Sequence, residues 1–202
     1  MNSPVATPGP TLYAAVLAAG QSLRFGSTKL LAEFRGHALV AHAIRSAEAA
    51  CGERTVLVAG SDWQDVHLAC QPLRGFLVVN EDYANGMSTS IAAAVRALPD
   101  TADGMLLTLG DQPLVTSEDL HSLAEVWRQN PELIACSRFG DQLSPPTIFP
   151  RRLFGELLEL QGDRGARSVV EKHADDVRQV EMPHAEFDID TPQALRDLGD
   201  AE

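Results

Sequence analysis

A chain of 202 residues, 45% hydrophobic and 22% charged, is long enough to bury one sizeable α/β core. Its formal net charge of −12 argues against general nucleic-acid binding, and any anionic ligand must be met by locally concentrated cations or a metal. Three widely spaced cysteines (Cys51, Cys70, Cys136), with no C-x-x-C, exclude a zinc knuckle or thioredoxin-type site and predict buried free thiols in a reducing cytoplasm.

Residues 1–10, with three prolines, read as a disordered tail ahead of a single domain over 11–202. They carry no basic n-region, and the apolar run that follows is too short for a membrane span. Neither a signal peptide nor a transmembrane helix is expected. In chain order, Leu12–Ala18 predicts a strand. Ala38–Ala50 is apolar at helical spacing (Leu39, Ala43, Ile44, Ala47), with Gly52 placed to end the helix. Thr55–Ala59 is a continuous apolar strand, and Asp62 is placed to cap a helix running to about Cys70. A short strand over Phe76–Val79, an alanine-rich helix over Ser88–Leu98 and a strand over Gly104–Leu109 follow. Next come a helix over Ser117–Gln129 with a capping acid nearby, and a strand over Leu133–Ser137.

The last third changes character. Pro145, Pro146 and Pro150 surround Thr147–Phe149, and prolines restrict a strand to a sheet edge or a special turn. Helices over Leu153–Leu160 and Ala166–His173, a strand over Val177–Glu181, a β segment over Phe187–Ile189 and a helix from Pro192 complete the chain. Continuous apolar strands alternating with helices predict an α/β three-layer sandwich on a mostly parallel twisted sheet. The two closely spaced β segments near the C-terminus add some antiparallel pairing. In such sheets ligands sit outside the carboxyl ends of the strands. Here those ends are the loops after Ala18, Asn80, Leu109 and Ile189.

The first of these loops is the most informative. Leu17-Ala18-Ala19-Gly20-Gln21-Ser22-Leu23-Arg24-Phe25-Gly26-Ser27-Thr28-Lys29 joins a strand to an amphipathic stretch. Its glycines let the backbone approach a ligand, and Arg24 and Lys29 add positive charge, which suits a polyphosphate. It is not a Walker A loop, because five residues separate Gly20 from Gly26 and Leu30 follows Lys29. It is not a dinucleotide fingerprint either, because Ser22 stands where the second glycine belongs. Two carboxylate segments occupy other strand ends: Gly110-Asp111-Gln112-Pro113 and Asp188-Ile189-Asp190-Thr191-Pro192. A magnesium ion is commonly held by one or two such carboxylates together with phosphate oxygens. Taken alone, Asp111 and Asp190 could equally be helix caps.

The loop L-A-A-G-x-S-x-R-x-G-x-x-K resembles the signature of nucleotidyltransferases built on the glycosyltransferase-A-like, Rossmann-like fold. Within them the chain is most similar to the molybdenum cofactor cytidylyltransferases, over nearly all of Leu12 to Leu198. The resemblance implies that Asp111 and Asp190, and less directly Asp188, hold Mg2+. It implies that Lys29, Arg24 and Asp111 are catalytic. It places Leu17, Ala18, Ala19, Gly20, Arg24, Gly26, Lys29 and Asp111 on the nucleotide. Asn80, Gly86, Ser88 and Ser90 join them through the segment N-x-x-[WY]-x-x-G-M-x-x-S. The segment Gly162-Asp163-Arg164-Gly165-Ala166-Arg167 and the proline run imply an acceptor side formed by Arg164, Arg167 and Pro146. Ser144 stands in that run where the family usually has glycine.

The implied reaction transfers CMP from CTP to the phosphate of a molybdopterin-type acceptor, with release of diphosphate. A recipient molybdoenzyme or its chaperone is the implied protein partner; neither nucleic acid nor a membrane is. Related guanylyltransferases usually read L-A-G-G, so the methyl of Ala19 favours CTP. The alternatives are a sibling enzyme acting on GTP, a sugar phosphate or a methylerythritol phosphate, and a non-catalytic carrier of the pterin cofactor. A dinucleotide-dependent oxidoreductase is disfavoured by the missing fingerprint.

Overall fold

Leu12, Ala14, Val16 and Ala18 of strand β1 (Leu12–Ala18) belong to one apolar cluster and Ala15 and Leu17 to another, and all six are buried. Side chains alternate across a strand, so both faces of β1 are covered. The computed structural model describes residues 9–20, 28–187, 189 and 191–200, with the backbone alone at 199–200. The tail expected over 1–10 therefore lies almost wholly outside the described residues.

A hairpin of β2 (Glu33–Phe34) and β3 (His37–Ala38) leads into α1 (Leu39–Cys51), which ends at Gly52 with φ 62°. Then follow β4 (Thr55–Ala59), α2 (Trp63–Ala69), β5 (Phe76–Val79), α3 (Met87–Ala97), β6 (Gly104–Leu109) and α4 (Ser117–Gln129). The chain closes with β7 (Ile134–Phe139), β8 (Gln142–Pro150), α5 (Phe154–Leu158), α6 (Arg167–Lys172), β9 (Val177–Glu181) and α7 (Pro192–Asp200). The main sheet has seven strands in the order β5-β4-β1-β6-β8-β7-β9. All pairings are parallel except those of β8 with β6 and with β7. Helices α1, α2 and α4 pack on one face, and α3, α5 and α6 on the other. The three-layer expectation holds. No helix among the described residues is long and apolar enough to cross a membrane.

Three local expectations are corrected, and the structure adds one hairpin that the sequence did not show. The proline-rich strand is interior, lying between β6 and β7 rather than at an edge. A shift of register between Cys136 and Ser137 takes the β7–β8 pairing from Thr147 directly to Ser144, so Pro145 and Pro146 fall in the irregular stretch. A bulge removes the need for the N–H groups that proline lacks. Among the described residues, antiparallel pairing in the main sheet comes from β8, and Phe187 and Ile189 lie outside any strand. Asp62 precedes α2 and its carbonyl accepts from the Val66 N–H, but its side chain makes no cap bond and instead accepts a hydrogen bond from the Thr28 hydroxyl. The hairpin β2–β3 gave no signal in the sequence, because two-residue strands are too short to show periodicity.

Thr116, not Asp111, caps α4. Its hydroxyl accepts from the Asp119 N–H, and the Asp119 carboxylate accepts from the Thr116 N–H at 2.9 Å, a reciprocal capping box. Asp119 also accepts from the Thr116 hydroxyl and from His184 Nδ1, each at 2.8 Å. Burial pushes the Asp119 carboxyl up, but the bonds from Thr116 and His184 outweigh it and hold the carboxyl below its usual value. The stability this supplies is present above the unfolded pKa of about 3.9 and is lost as pH falls through the folded value. Asp119→Asn should cost about 1 kcal/mol at pH 7, the scale of a lost cap. In paired thermal melts, the gap between variant and parent should shrink towards pH 3. An equal gap at both pH values would show that the carboxylate charge contributes nothing.

Candidate active site

Parallel order reverses at β1. The chain steps from β1 to β4 and β5 on one side, then returns through β6 on the other. The crevice at such a reversal lies at the carboxyl ends of β1 and β6, where Leu17 pairs with Leu109. The Gly110 N–H donates to the Leu17 carbonyl at 2.9 Å and binds the two loop bases together. Leu17, Ala18 and Ala19 are buried there and Gly20 emerges into solvent.

Lys29 and Asp111, 82 positions apart in the sequence, meet in this crevice. The Lys29 ammonium donates to Asp111 Oδ2 at 2.6 Å, with side chains only 13% and 19% exposed. Lys29 stands on a single 3-10 turn, Lys29–Leu31, whose Leu30 is buried in the core beside Val40 of α1. The adjoining Thr28 is tied to Asp62. The cation is thus fixed by packing beneath it and a tether beside it. Asp111 is held through its backbone as well, since its carbonyl accepts from the Ile189 N–H at 3.2 Å. That bond brings Ile189 of the D-I-D-T-P segment against the Asp111 loop. Asp111 Oδ1 is buried and has no hydrogen-bond partner among the described residues. A buried carboxylate oxygen left unsatisfied is costly, and a cation is the partner its charge calls for. The donor chemistry at Asp111 therefore fits a hard divalent ion. Among the described residues no three His, Cys, Asp or Glu side chains form a metal cluster.

The segment after β5 builds the neighbouring wall. Asn80 is buried, and its amide donates to Thr89 Oγ1 (2.9 Å) and Ser90 Oγ (3.0 Å) and accepts from the Asp82 N–H (3.1 Å). Asn80 thus shapes the turn into α3, and Ser88 and Ser90 are buried in the same frame. Tyr83 packs across Gly60, where a Cβ would lie 3.0 Å from the ring and 3.1 Å from the Ala19 carbonyl. This joins the loops after β1, β4 and β5; Tyr83 is the aromatic position of the N-x-x-[WY]-x-x-G-M-x-x-S segment, whereas Gly60 did not stand out in the sequence. The Ser88 N–H, which could have faced an anion at the start of α3, donates to the Gly162 carbonyl at 3.1 Å.

The segment implied for the acceptor therefore docks on the segment implied for the nucleotide. Gly86 has φ 104°, and a Cβ on it would collide with the Gly162 carbonyl. A Cβ on Gly165 would meet only the Met87 sulfur, at 3.2 Å. Gly86→Ala should then cost about 1–3 kcal/mol from backbone strain alone. Gly165→Ala should cost less, because a methionine side chain can shift. Urea denaturation of the two variants checks the order, and the reverse order would show the two segments to be loosely apposed.

The remaining expected residues separate. Arg24, Gly26, Asp188 and Asp190 lie outside the described residues. Arg164 is exposed beside a shallow cleft between α5 and α6 that Lys172 and Glu156 also line. Arg167 is exposed and paired with Glu171 at 2.8 Å, one helical turn along α6. Pro146 is buried within β8. Gln112 has no exposure at all, and its amide reaches two other chain segments. The sequence placed Gln112 in a motif without giving it a task. All three thiols are buried, with Cys51 pushed up to about 11 and Cys70 to about 12 by burial, so none is a nucleophile here.

Residues 14–177 match the family described as MobA-like NTP transferase domain. Over 195 residues the chain is 29% identical to the purine catabolism protein PucB of Bacillus subtilis (strain 168), covering 91% of this chain and 94% of that one. The crystal structure of Rv0371c from Mycobacterium tuberculosis H37Rv is similar with a TM-score of 0.85 at 29% identity, over 96% of this chain and 100% of that one. Rv0371c complexed with manganese gives 0.80 at 28% identity, over 95% and 100%. Molybdopterin-guanine dinucleotide biosynthesis protein A from Archaeoglobus fulgidus shares the fold, with a TM-score of 0.70 at 20% identity over 92% and 95% of the two chains.

Proposed function

The chain belongs to the MobA-like NTP transferase domain family, and from that premise we propose that it transfers CMP from CTP to the terminal phosphate of a molybdopterin-type acceptor. The observation that carries this reading is the Lys29–Asp111 pair, enclosed at the reversal point of the sheet and followed there by the Ile189 contact. Nucleotidyl transfer needs no covalent protein nucleophile. It needs positioning and charge stabilisation. An acceptor phosphate oxygen forms a bond to the α-phosphorus, the bond from that phosphorus to the bridging oxygen of the β-phosphate breaks, and diphosphate leaves with the electron pair.

Within that reaction each residue has a task set by its chemistry. The Lys29 ammonium, anchored by Leu30, neutralises charge gathering on the departing diphosphate. Arg24 adds a second cation from the same loop, and the backbone N–H groups between Gly20 and Gly26 hold the β- and γ-phosphates. Asp111, with Asp190 and Asp188 from the C-terminal segment, would hold a divalent cation, which supplies Lewis-acid polarisation of the phosphates when bound. Asn80, Ser88 and Ser90 brace the wall on which the nucleoside lies. Arg164 or Arg167 pairs with the acceptor phosphate. The buried methyl of Ala19, at the base of the loop, narrows the space for a purine and favours the smaller base.

The testing experiment supplies the protein with Mg2+, molybdopterin and each of CTP, GTP, ATP and UTP, and measures diphosphate. Release with CTP that depends on the pterin is the expected result. Release with GTP alone would keep the reaction and overturn the base assignment. Tight pterin binding with no release would replace the enzyme by a carrier.

A further inference from the structure

Asp111 is followed by a glutamine that the reaction does not use. Gln112 is wholly buried, and its amide nitrogen donates to two carbonyls from distant segments: Pro145 of β8 at 3.2 Å and Ala185 at 3.3 Å. Ala185 belongs to a 3-10 turn, Pro183–Glu186, four residues before Ile189. Ile189 in turn donates its N–H to the Asp111 carbonyl. Two bonds, one through a side chain and one through the backbone, therefore suture the 185–189 stretch to the Asp111 loop. The amide orientation is fixed, because turning it over would set Oε1 against two carbonyl oxygens. Gln112 Oε1 is left buried without a partner among the described residues, as is Oδ1 of Asp111, the preceding residue. An amide this enclosed and only half satisfied is retained at a cost, which an apolar residue of the same shape would avoid.

We propose that Gln112 is a positioning residue for the divalent cation. It ties the Asp111 loop to β8 and to the turn at Ala185, holds the Asp111 carboxylate in place, and so sets the affinity of the metal. The inference rests on the reading of Asp111 as a cation ligand. Groups that orient metal-holding carboxylates without touching the ion are worth about 10- to 100-fold in metal affinity.

The test titrates the full chain with Mn2+, followed by the paramagnetic resonance of the free ion and without nucleotide present. Gln112→Met keeps length and bulk but donates no hydrogen bond, and it should weaken Mn2+ binding by about 10- to 100-fold. Gln112→Asn keeps the amide but falls one bond short, and it should lie between. In turnover assays, the Mn2+ concentration for half-maximal rate should rise by more than kcat falls, whereas a general loosening of the fold would lower kcat first. Equal Mn2+ binding by parent and both variants would overturn the inference while leaving the Asp111 reading intact. A parent chain that binds no Mn2+ would overturn the Asp111 reading itself. If Gln112→Met does not fold, Gln112→Asn alone decides.

Discussion

Lys29→Ala should lower kcat/KM for CTP by about 10²–10³, the scale of removing one preorganised charge contact to a developing anion. The loss should fall mainly on kcat if Lys29 acts on the leaving diphosphate and mainly on KM if it merely holds the ground-state triphosphate. Stability should fall as well. With side chains only 13% and 19% exposed, loss of the ammonium leaves the Asp111 carboxylate largely buried without its cation, and removing one partner of a buried pair costs about 3–5 kcal/mol. The rate loss is therefore read at a temperature where circular dichroism shows the variant folded. Lys29→Arg should not restore the rate, because a planar fork does not replace a compact ammonium in a site built around the position of Leu30. A Lys29→Ala variant with near-parental turnover would remove Lys29 from the machinery.

Asp111→Asn should be at least as severe, about 10³-fold or more in kcat/KM, and should bind Mn2+ poorly. The asparagine keeps the shape of the turn, and the backbone bonds from Ile189 to residue 111 and from Gly110 to Leu17 do not depend on the side chain. Circular dichroism should therefore be unchanged while metal binding falls. Rate loss with undiminished Mn2+ affinity would place the cation elsewhere and leave Asp111 as the counter-ion of Lys29. Measuring both variants and their double mutant separates these roles, since groups acting as a unit give strongly non-additive losses.

Much of the fold was legible because the central parallel strands β1, β4 and β6 are buried on both faces and read as nearly continuous apolar runs. The edge strands β5 and β9 are more exposed, yet all five keep the predicted bounds. The misplaced strand is β8. Its prolines signal an edge, and only the register shift opposite Cys136 and Ser137 admits it to the interior. That shift belongs to the pairing of two strands, so neither strand shows it alone. Asp62 failed as a cap for a similar reason: its partner, Thr28, lies 34 residues away.

The same division runs through the candidate site. The glycine-bearing loop, the G-D-Q-P segment and the D-I-D-T-P segment were visible as residues, because each sits where an apolar run stops and polar chemistry begins. Their residue types alone implied cations, carboxylates and a polyphosphate ligand. What the chain order could not contain is distance. Lys29 reaches Asp111 because β1 and β6 are neighbours in the sheet, and the Ile189 and Gln112 hydrogen bonds join the Asp111 loop to Ile189 and Ala185. The docking of Gly162 on Gly86 likewise joins two motifs that the sequence keeps 76 positions apart. Local composition determined which groups the protein owns. Strand order and close packing, which depend on contacts between segments remote in the chain, decided which of them meet.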